Sequence, residues 1–456
     1  MNAADKPAGS PILDAVTAVL LHQGELYLVR RQYGLVAFPG YQAFPGGKVD
    51  PADAEGAAPE GLLGGHDARL MRALARELDE ELGFDLNAAA RRDELASVHN
   101  LGAALAPPSA PLRFRAHFFR IHLRVKPELR PDLVELESGE WAPVHEWLAR
   151  YERGELLLAP PTQITLRKLA QDLHGADEAS FLDHLTPGLM HCIEPLFGLR
   201  LFFVRSATLP PAAHTNCFLI GDAGSRRVLV DPSPNSREEL ELLLRSVAPY
   251  GFDEVFLTHH HPDHRQFADE IARRAGVPLA MSADTQMRIG RVQPAFLRDV
   301  QLKNYGEGDA LTRWLGHTVR VLAVPGHDEG QLALMPDNRA WCIVGDLIQG
   351  VGTVVISPPE GDMRKYFASM RRLIELHPRA IFPSHGVGLG GVHYLEQALR
   401  HREQREATIC ALFNAGRSVD EILAEVYVGT DPRLLPYARI NIDSHLSKLR
   451  AEGAVA

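Results

Sequence analysis

Cysteine is scarce in this chain of 456 residues: there are four, Cys192, Cys217, Cys342 and Cys410, far apart and with no C-x-x-C pair. That argues against a disulfide framework or a thiolate-bound metal and reads as small apolar side chains in a reducing compartment. No apolar run approaches the roughly 18 residues that suggest a membrane span. The opening M-N-A-A-D-K-P-A-G also lacks an apolar signal core. The expected location is therefore cytoplasmic, with no membrane partner. Nor is there an excess of basic residues: 48 Lys and Arg stand against 58 Asp and Glu, for a formal net charge of −10. Such a balance disfavours a chain built to coat nucleic acid or an anionic surface. What is present, 45% hydrophobic and 23% charged residues, is ordinary globular composition. At roughly 100–200 residues per domain, the length predicts more than one domain.

The densest chemistry lies in T-H-H-H-P-D-H, Thr258 to His264, directly after the apolar run Val255–Leu257. His259 and His261 are two apart, so at an extended strand end both rings project to one side. Pro262 then turns the chain, and Asp263 and His264 follow at once. Imidazole nitrogens with a carboxylate form the donor set that a borderline ion such as zinc selects. This stretch reads as a metal site.

Toward the N-terminus, a short flexible lead precedes two strands, Asp14–Leu21 and Glu25–Arg30. The glycine turn A-F-P-G-G-K-V-D-P-A-D follows at Ala43–Asp53, and a helix is expected over Asp67–Gly83. Within that helix Glu77, Glu80 and Glu81 stand three and four apart, forming one acidic face beside a stripe of Met71, Leu74, Leu78 and Leu82. Clustered carboxylates suit a hard cation, with oxygen-only ligands. The run R-E-L-D-E-E-L-G-F, Arg76 to Phe84, together with Gly47, resembles the Nudix box. Asp53 stands where that family has Glu, and the spacer before Arg76 is longer than usual. The long spacer, the strand Arg113–Phe119 and Pro160–Thr162 are similar to the coenzyme-A-diphosphatase-like branch. The resemblance implies an α/β/α sandwich in which Glu77, Glu80 and Glu81 hold Mg or Mn, and one of these carboxylates serves as general base. Water would then attack a nucleoside-diphosphate-linked, coenzyme A-like small molecule. Gly47, Asp53 and Arg76 would support the site, Arg76 by holding the glutamates. The alternative is a non-catalytic nucleotide sensor.

Further along, strands are expected at Leu199–Val204, Asn216–Ile220, Arg227–Asp231, Thr318–Val324, Trp341–Val344 and Ala380–Phe382. Ser236 to Glu239 reads as a capping box opening a helix to about Val247. Helices are also expected over Asp263–Ala275 and Asp362–Leu376. Strand ends run into P-G-H at His327, G-D at Asp346 and P-S-H-G at His385. Together with the histidine stretch, these pieces resemble the metallo-β-lactamase-fold hydrolases, an αββα sandwich with a dinuclear site at one edge. The resemblance implies that His259, His261 and His327 bind one metal, that Asp263, His264 and His385 bind a second, and that Asp346 bridges both. Asp231 would be a supporting residue, and Asp263 would also act in catalysis. Two zinc or other transition-metal ions would activate water for hydrolysis of an ester, thioester or phosphodiester. Arg265-Gln266 departs from a Gly-Gly pair common in the family.

The C-terminal stretch carries a capping box at Ser418–Glu421 and Ala438, Ile442, Leu446 and Leu449 at helical spacing, so three short helices are expected. It resembles the winged-helix-like tail of certain metallo-β-lactamase-fold proteins, some of which cut single-stranded RNA. From Glu396 onward, however, eight Lys and Arg face nine Asp and Glu. Only 39 positions separate Asp346 from His385, too few for the domain that many RNA-cleaving relatives insert there. Both features disfavour an RNA endonuclease, and the tail reads as a packing module. The expected organisation is a multidomain α/β and α+β chain: a Nudix-like domain at 1–190, a metallo-β-lactamase-fold domain at 195–395 and a small helical winged-helix-like domain at 396–456. Oligomeric state is left open.

Overall fold

The computed structural model describes residues 12–106, 113–173 and 188–455. The flexible lead expected before residue 12 lies outside them. The chain divides into two compact units, Met1–Leu185 with Pro195–Phe197, and Thr186–Glu194 with Gly198–Ala456.

The first unit is built on a six-stranded mixed sheet. Its order is Gln42–Ala43, Glu25–Arg31, Leu13–His22, Phe114–Leu123, Leu95–Leu105, with Leu136–Pro143 also paired to Glu25–Arg31. Leu13–His22 runs parallel to Phe114–Leu123, and its other partner is antiparallel. Alternation along Leu13–His22 serves two cores, because successive side chains leave opposite faces of a strand. Val16, Ala18 and Leu20 pack with Met71, Leu74 and Leu78 on one side. Val19 and Leu21 pack with Trp147, Tyr151 and Leu166 on the other. The helix Ala68–Leu82 opens at Asp67, whose carboxylate accepts the Arg69 and Leu70 N–H groups, and closes at Gly83 in a left-handed conformation. It lies within one residue of the expected span at each end.

The second unit holds a seven-stranded and a six-stranded sheet. Helices Arg237–Val247, Ala268–Ala275 and Ala283–Val292 cover the first through Leu240, Leu243, Ile271 and Ile289. Helices Met363–Leu376 and His393–Asn414 cover the second through Tyr366, Phe367, Met370, Leu395 and Leu399. Between the sheets, the Phe218 and Phe382 rings meet edge-on at 6.1 Å.

Three local expectations need correction. The helix over Asp263–Ala275 is two helices, Pro262–Arg265 and Ala268–Ala275. Between them Gln266 is extended and Phe267 left-handed at φ +62°, a strained conformation for a bulky residue. The Arg237 guanidinium covers the Phe267 ring at 5.1 Å. Ser236 caps its helix, but Glu239 does not complete the box, because its carboxylate accepts the Arg205 N–H at 2.9 Å instead. The first C-terminal helix is not short: His393–Asn414 has 22 residues. The cysteines are all free, Cys217 and Cys342 buried, Cys192 and Cys410 only partly so.

Candidate metal centre

Four strand ends of the second unit deliver the candidate ligands to one place. The histidine stretch follows Glu254–Phe256, and His327 follows His317–Ala323. Asp346 follows Cys342–Ile343, and His385 follows Ala380–Phe382. The glycine before His327 is required by space: a Cβ on Gly326 would lie 2.3 Å from the Tyr366 backbone.

Two sets of ligand atoms result. In the first, His261 Nδ1 stands 3.0 Å from both His259 Nε2 and His327 Nε2. A metal–nitrogen distance of about 2.0–2.1 Å sets neighbouring ligands of a tetrahedron roughly 3.3 Å apart. The three nitrogens are thus gathered closely enough to share one ion. In the second set, His385 Nε2 lies 3.5 Å from Asp263 Oδ2, and His264 Nε2 lies 3.9 Å from the same oxygen. Asp346 stands between the sets. Its Oδ1 is 3.4 Å from His385 Nε2 and 3.6 Å from His264 Nε2, while its Oδ2 is 3.8 Å from His327 Nε2. His264 Nε2, His385 Nε2 and Asp346 Oδ1 are all buried without a hydrogen bond. Orphaned buried donors and acceptors are costly, and a cation coordinated among them satisfies all three. The residues fit a pair of transition-metal ions.

The far nitrogen of each ring is occupied, which fixes the orientation of the near one. His327 Nδ1 donates to Val355 O at 2.8 Å and His385 Nδ1 to His214 O at 2.9 Å. His264 Nδ1 donates to Asp231 Oδ2 at 2.9 Å. Asp231 also accepts the Thr258 N–H at 2.8 Å and its hydroxyl at 2.6 Å. The Thr258 hydroxyl oxygen in turn lies 3.0 Å from His259 Nδ1. For His261 the outer partner is Glu360, with Oε2 3.5 Å from Nε2.

Electrostatics separate the two sets. Burial and the neighbouring ring of His261 push His327 down to about 4, so its imidazole is neutral and its lone pair free. His259 is likewise pushed well below its ordinary value, by burial and the surrounding histidines. Burial also opposes charge on His385, but the carboxylates of Asp346 and Asp263 prevail and raise it to about 10. His264 is raised for the same reason by Asp346, Asp263 and Asp231. Protons on these rings answer a demand for positive charge that a divalent cation can meet.

Thr258, Val355, Glu360, His260 and Asp328 were not singled out from the sequence as parts of the centre. His260 turns away from the ligand sets, its Nδ1 2.5 Å from Asp328 Oδ2. Period-two alternation through His259-His260-His261 carries that signal, and Asp328 directly follows His327; a backbone carbonyl such as Val355 O leaves no mark in a sequence. His317, His377 and His393, which stand apart from the ligand motifs in the sequence, are exposed.

In the first unit the glycine turn is strapped to the first strand, with Val16 N–H on Gly47 O at 2.8 Å and Ala18 N–H on Pro45 O at 2.9 Å. A Cβ on Gly47 would lie 2.3 Å from the Glu77 carboxylate, so any side chain there would displace that group. Arg76 organises the acidic face. One amino group donates to Glu77 at 2.8 Å and Glu80 at 2.9 Å, and the rest of the guanidinium grips both oxygens of Asp53 and the Lys48 carbonyl. Asp53 is thus a structural anchor, also accepting the Asp50 N–H at 2.8 Å. Glu81 faces inward to the Gly46 N–H at 2.8 Å. Burial, aided by Glu77 and against that N–H, pushes its carboxyl up to about 7.

Two stacked sheets with converging histidines and aspartates at the strand ends define the second unit as a metallo-β-lactamase-type hydrolase; the first unit is of the Nudix type. The chain belongs to the metallo-β-lactamase superfamily, and it is an enzyme of the hydrolase class. The profile of the Metallo-beta-lactamase superfamily matches residues 210–385, that of the NUDIX domain residues 11–159, and that of the Beta-lactamase associated winged helix domain residues 418–456. Among relatives, a "Beta-lactamase-like protein 2 homolog" of Drosophila melanogaster is 31% identical, over 52% of this chain and 83% of its own length. An "atrochrysone carboxyl ACP thioesterase" of Pseudocercospora fijiensis is 26% identical, over 53% of this chain and 71% of its own. Among solved structures, a beta-lactamase domain protein from Burkholderia ambifaria shares the fold at a TM-score of 0.50 and 21% identity, covering 59% of this chain and 91% of that one. Among the described residues, no helix is long and apolar enough to cross a membrane.

Proposed function

We propose that the second unit hydrolyses a thioester or related ester at a dinuclear transition-metal site, most simply two zinc ions. His259, His261 and His327 hold one ion, Asp263, His264 and His385 the other, and Asp346 joins them. The observation that carries this reading is the carboxylate of Asp346, which presents one oxygen to each ligand set, at 3.4 Å from His385 and 3.8 Å from His327. Two such ions supply Lewis acidity that lowers the pKa of water and polarises a carbonyl. The chain's own groups orient the ligands through Asp231, Thr258, Val355 and His214. Asp263 is less deeply buried than His264 or His385; burial opposes its charge, but those two rings hold its carboxyl well below the ordinary value, so Oδ2 stays ionised and available as a ligand. Hydrolysis then adds water across the acyl–sulfur bond, giving a carboxylic acid and a thiol. The name of the fungal relative supports the thioester class over a phosphodiester.

The first unit, on the same reading, hydrolyses a nucleoside-diphosphate-linked small molecule with Mg or Mn held by Glu77, Glu80 and Glu81, one of these carboxylates taking the proton from water. Arg76 and Asp53 fix the glutamates and Gly47 lets the turn approach them. Functionally the chain divides into three domains, 1–190, 195–395 and 396–456, working in the cytoplasm. The tail's basic residues Arg402 and Lys448 are engaged inward, on Val354 O and Glu406, which favours packing over RNA binding. The test is a screen of the zinc-loaded protein against acyl-thioesters, single-stranded RNA and coenzyme A. Thioester turnover lost in Asp346→Asn supports the reading, and RNA cleavage without thioester turnover overturns it.

A further inference from the structure

The segment Val354–Ile356 has no regular secondary structure, so its backbone polar groups need partners from elsewhere. Its middle carbonyl, Val355 O, accepts the Nδ1–H of His327 at 2.8 Å and so sets the direction in which His327 Nε2 points. The groups on either side are bound by the C-terminal helices. Ile356 N–H donates to the side-chain oxygen of Asn441 at 3.0 Å, and Arg402 donates to Val354 O at 2.6 Å. Both side chains are 5% exposed.

Arg402 reaches the centre by a second route. Its guanidinium covers the Tyr366 ring at 4.8 Å, and the Tyr366 hydroxyl donates to Leu347 O at 2.8 Å, one residue after Asp346. A buried arginine set on a carbonyl and a ring, with one amino group lacking any hydrogen bond, is a costly way merely to pack two helices.

We infer that Asn441 and Arg402 are positioning residues of the metal centre: through Val354–Ile356 the C-terminal helices hold the carbonyl that orients His327. The inference rests on the metal-site reading above. It gives the tail a task in the hydrolase. The segment is clamped from the side opposite the ligand, so the tail acts without touching substrate or metal.

The test is zinc binding by the full-length protein, titrated against a chromophoric chelator, with thermal unfolding measured in parallel. Asn441→Leu keeps the branched outline of the side chain and removes the acceptor, whereas Asn441→Asp keeps an acceptor. Ile422→Val loosens the tail's own core, where Ile422 is fully buried, without touching the segment. Asn441→Leu should weaken one of the two zinc steps by about tenfold, at the low end of outer-ligand effects. Asn441→Asp should restore it, and Ile422→Val should lower the melting temperature without changing zinc binding. Arg402→Lys, which keeps a cationic donor, should fall between wild type and Asn441→Leu. Two wild-type zinc steps left unchanged by Asn441→Leu and Arg402→Lys would overturn this inference alone. A wild-type protein that takes up no zinc overturns the metal-site reading and this inference with it.

Discussion

His264 Nδ1 lies 2.9 Å from Asp231 Oδ2, both groups fully enclosed, and Asp231 holds this position from a left-handed backbone at φ +48°. Asparagine tolerates that backbone as aspartate does, so Asp231→Asn tests the charge and acceptor alone. It should weaken metal binding about 10–100-fold while the fold persists. Chelator competition with circular dichroism checks this; unchanged affinity would assign Asp231 to the strand end only.

Reconstituted with zinc, the protein should bind up to two ions per chain. His261→Ala should lose the ion of the first set and hydrolysis with it, since His261 Nδ1 is the atom closest to both other nitrogens, at 3.0 Å. Elemental analysis decides, and a wild-type protein without transition metal after zinc treatment refutes the site.

The two sites should be separable, because one offers carboxylates to a hard ion and the other imidazoles to a borderline one. Glu80→Gln should abolish Mg-dependent diphosphate hydrolysis and leave the histidine site active; Asp346→Asn should do the reverse. The Glu80 side chain is 59% exposed, so losing its pair with Arg76 should cost at most about 1 kcal/mol. Leu74, Leu78 and Leu82, all 0% exposed, still anchor the helix. If Glu80→Gln alters only the histidine-site activity, and no diphosphate is turned over, the first unit is a nucleotide sensor.

The tail should be acid-sensitive. Burial raises the Glu406 carboxyl, but His445 at 2.9 Å and Lys448 at 2.6 Å outweigh it and hold it below its ordinary value. Burial, against the pull of Glu406, holds His445 below its ordinary value. Both folded-state values are depressed, so both contributions are present above the ordinary values and are lost as pH falls. The loss begins near pH 6.5 for His445 and continues below pH 4.5 for Glu406. Melting temperature measured from pH 8 to 4 should fall by about 2–4 °C per kcal/mol lost, and Glu406→Gln should flatten the lower part of the curve.

Single-stranded RNA should bind weakly. A gel-shift titration at two salt concentrations checks this: tight binding that weakens steeply with salt would show phosphate neutralisation and would return the RNA reading to consideration.

Much of this protein was legible without coordinates, for reasons that differ by element. The acidic face of Glu77, Glu80 and Glu81 and the stripe of Leu74, Leu78 and Leu82 follow from helical periodicity, and the capping pair Ser418–Glu421 from local hydrogen bonding; such signals lie within a few neighbouring residues. Phe267 defeated the expectation of one helix, since nothing local to a bulky residue announces a left-handed backbone. Glu239 left its predicted box for the Arg205 N–H, a partner 34 positions away. That His259, His261, His264, His327, Asp346 and His385 are of ligand type was written in residue identity. That their atoms converge, with Asp346 between two sets, was decided by strands packing side by side, because only tertiary structure brings positions 259 and 385 together. The partners that aim the rings were decided there too: Val355 and His214 act through main-chain carbonyls, which every residue possesses and no sequence distinguishes. The same holds for His393–Asn414, whose Leu395 and Leu399 belong to the metal unit's core and whose Ile409 belongs to the tail's. A sequence divides that helix into two domains, and packing makes it the beam that joins them.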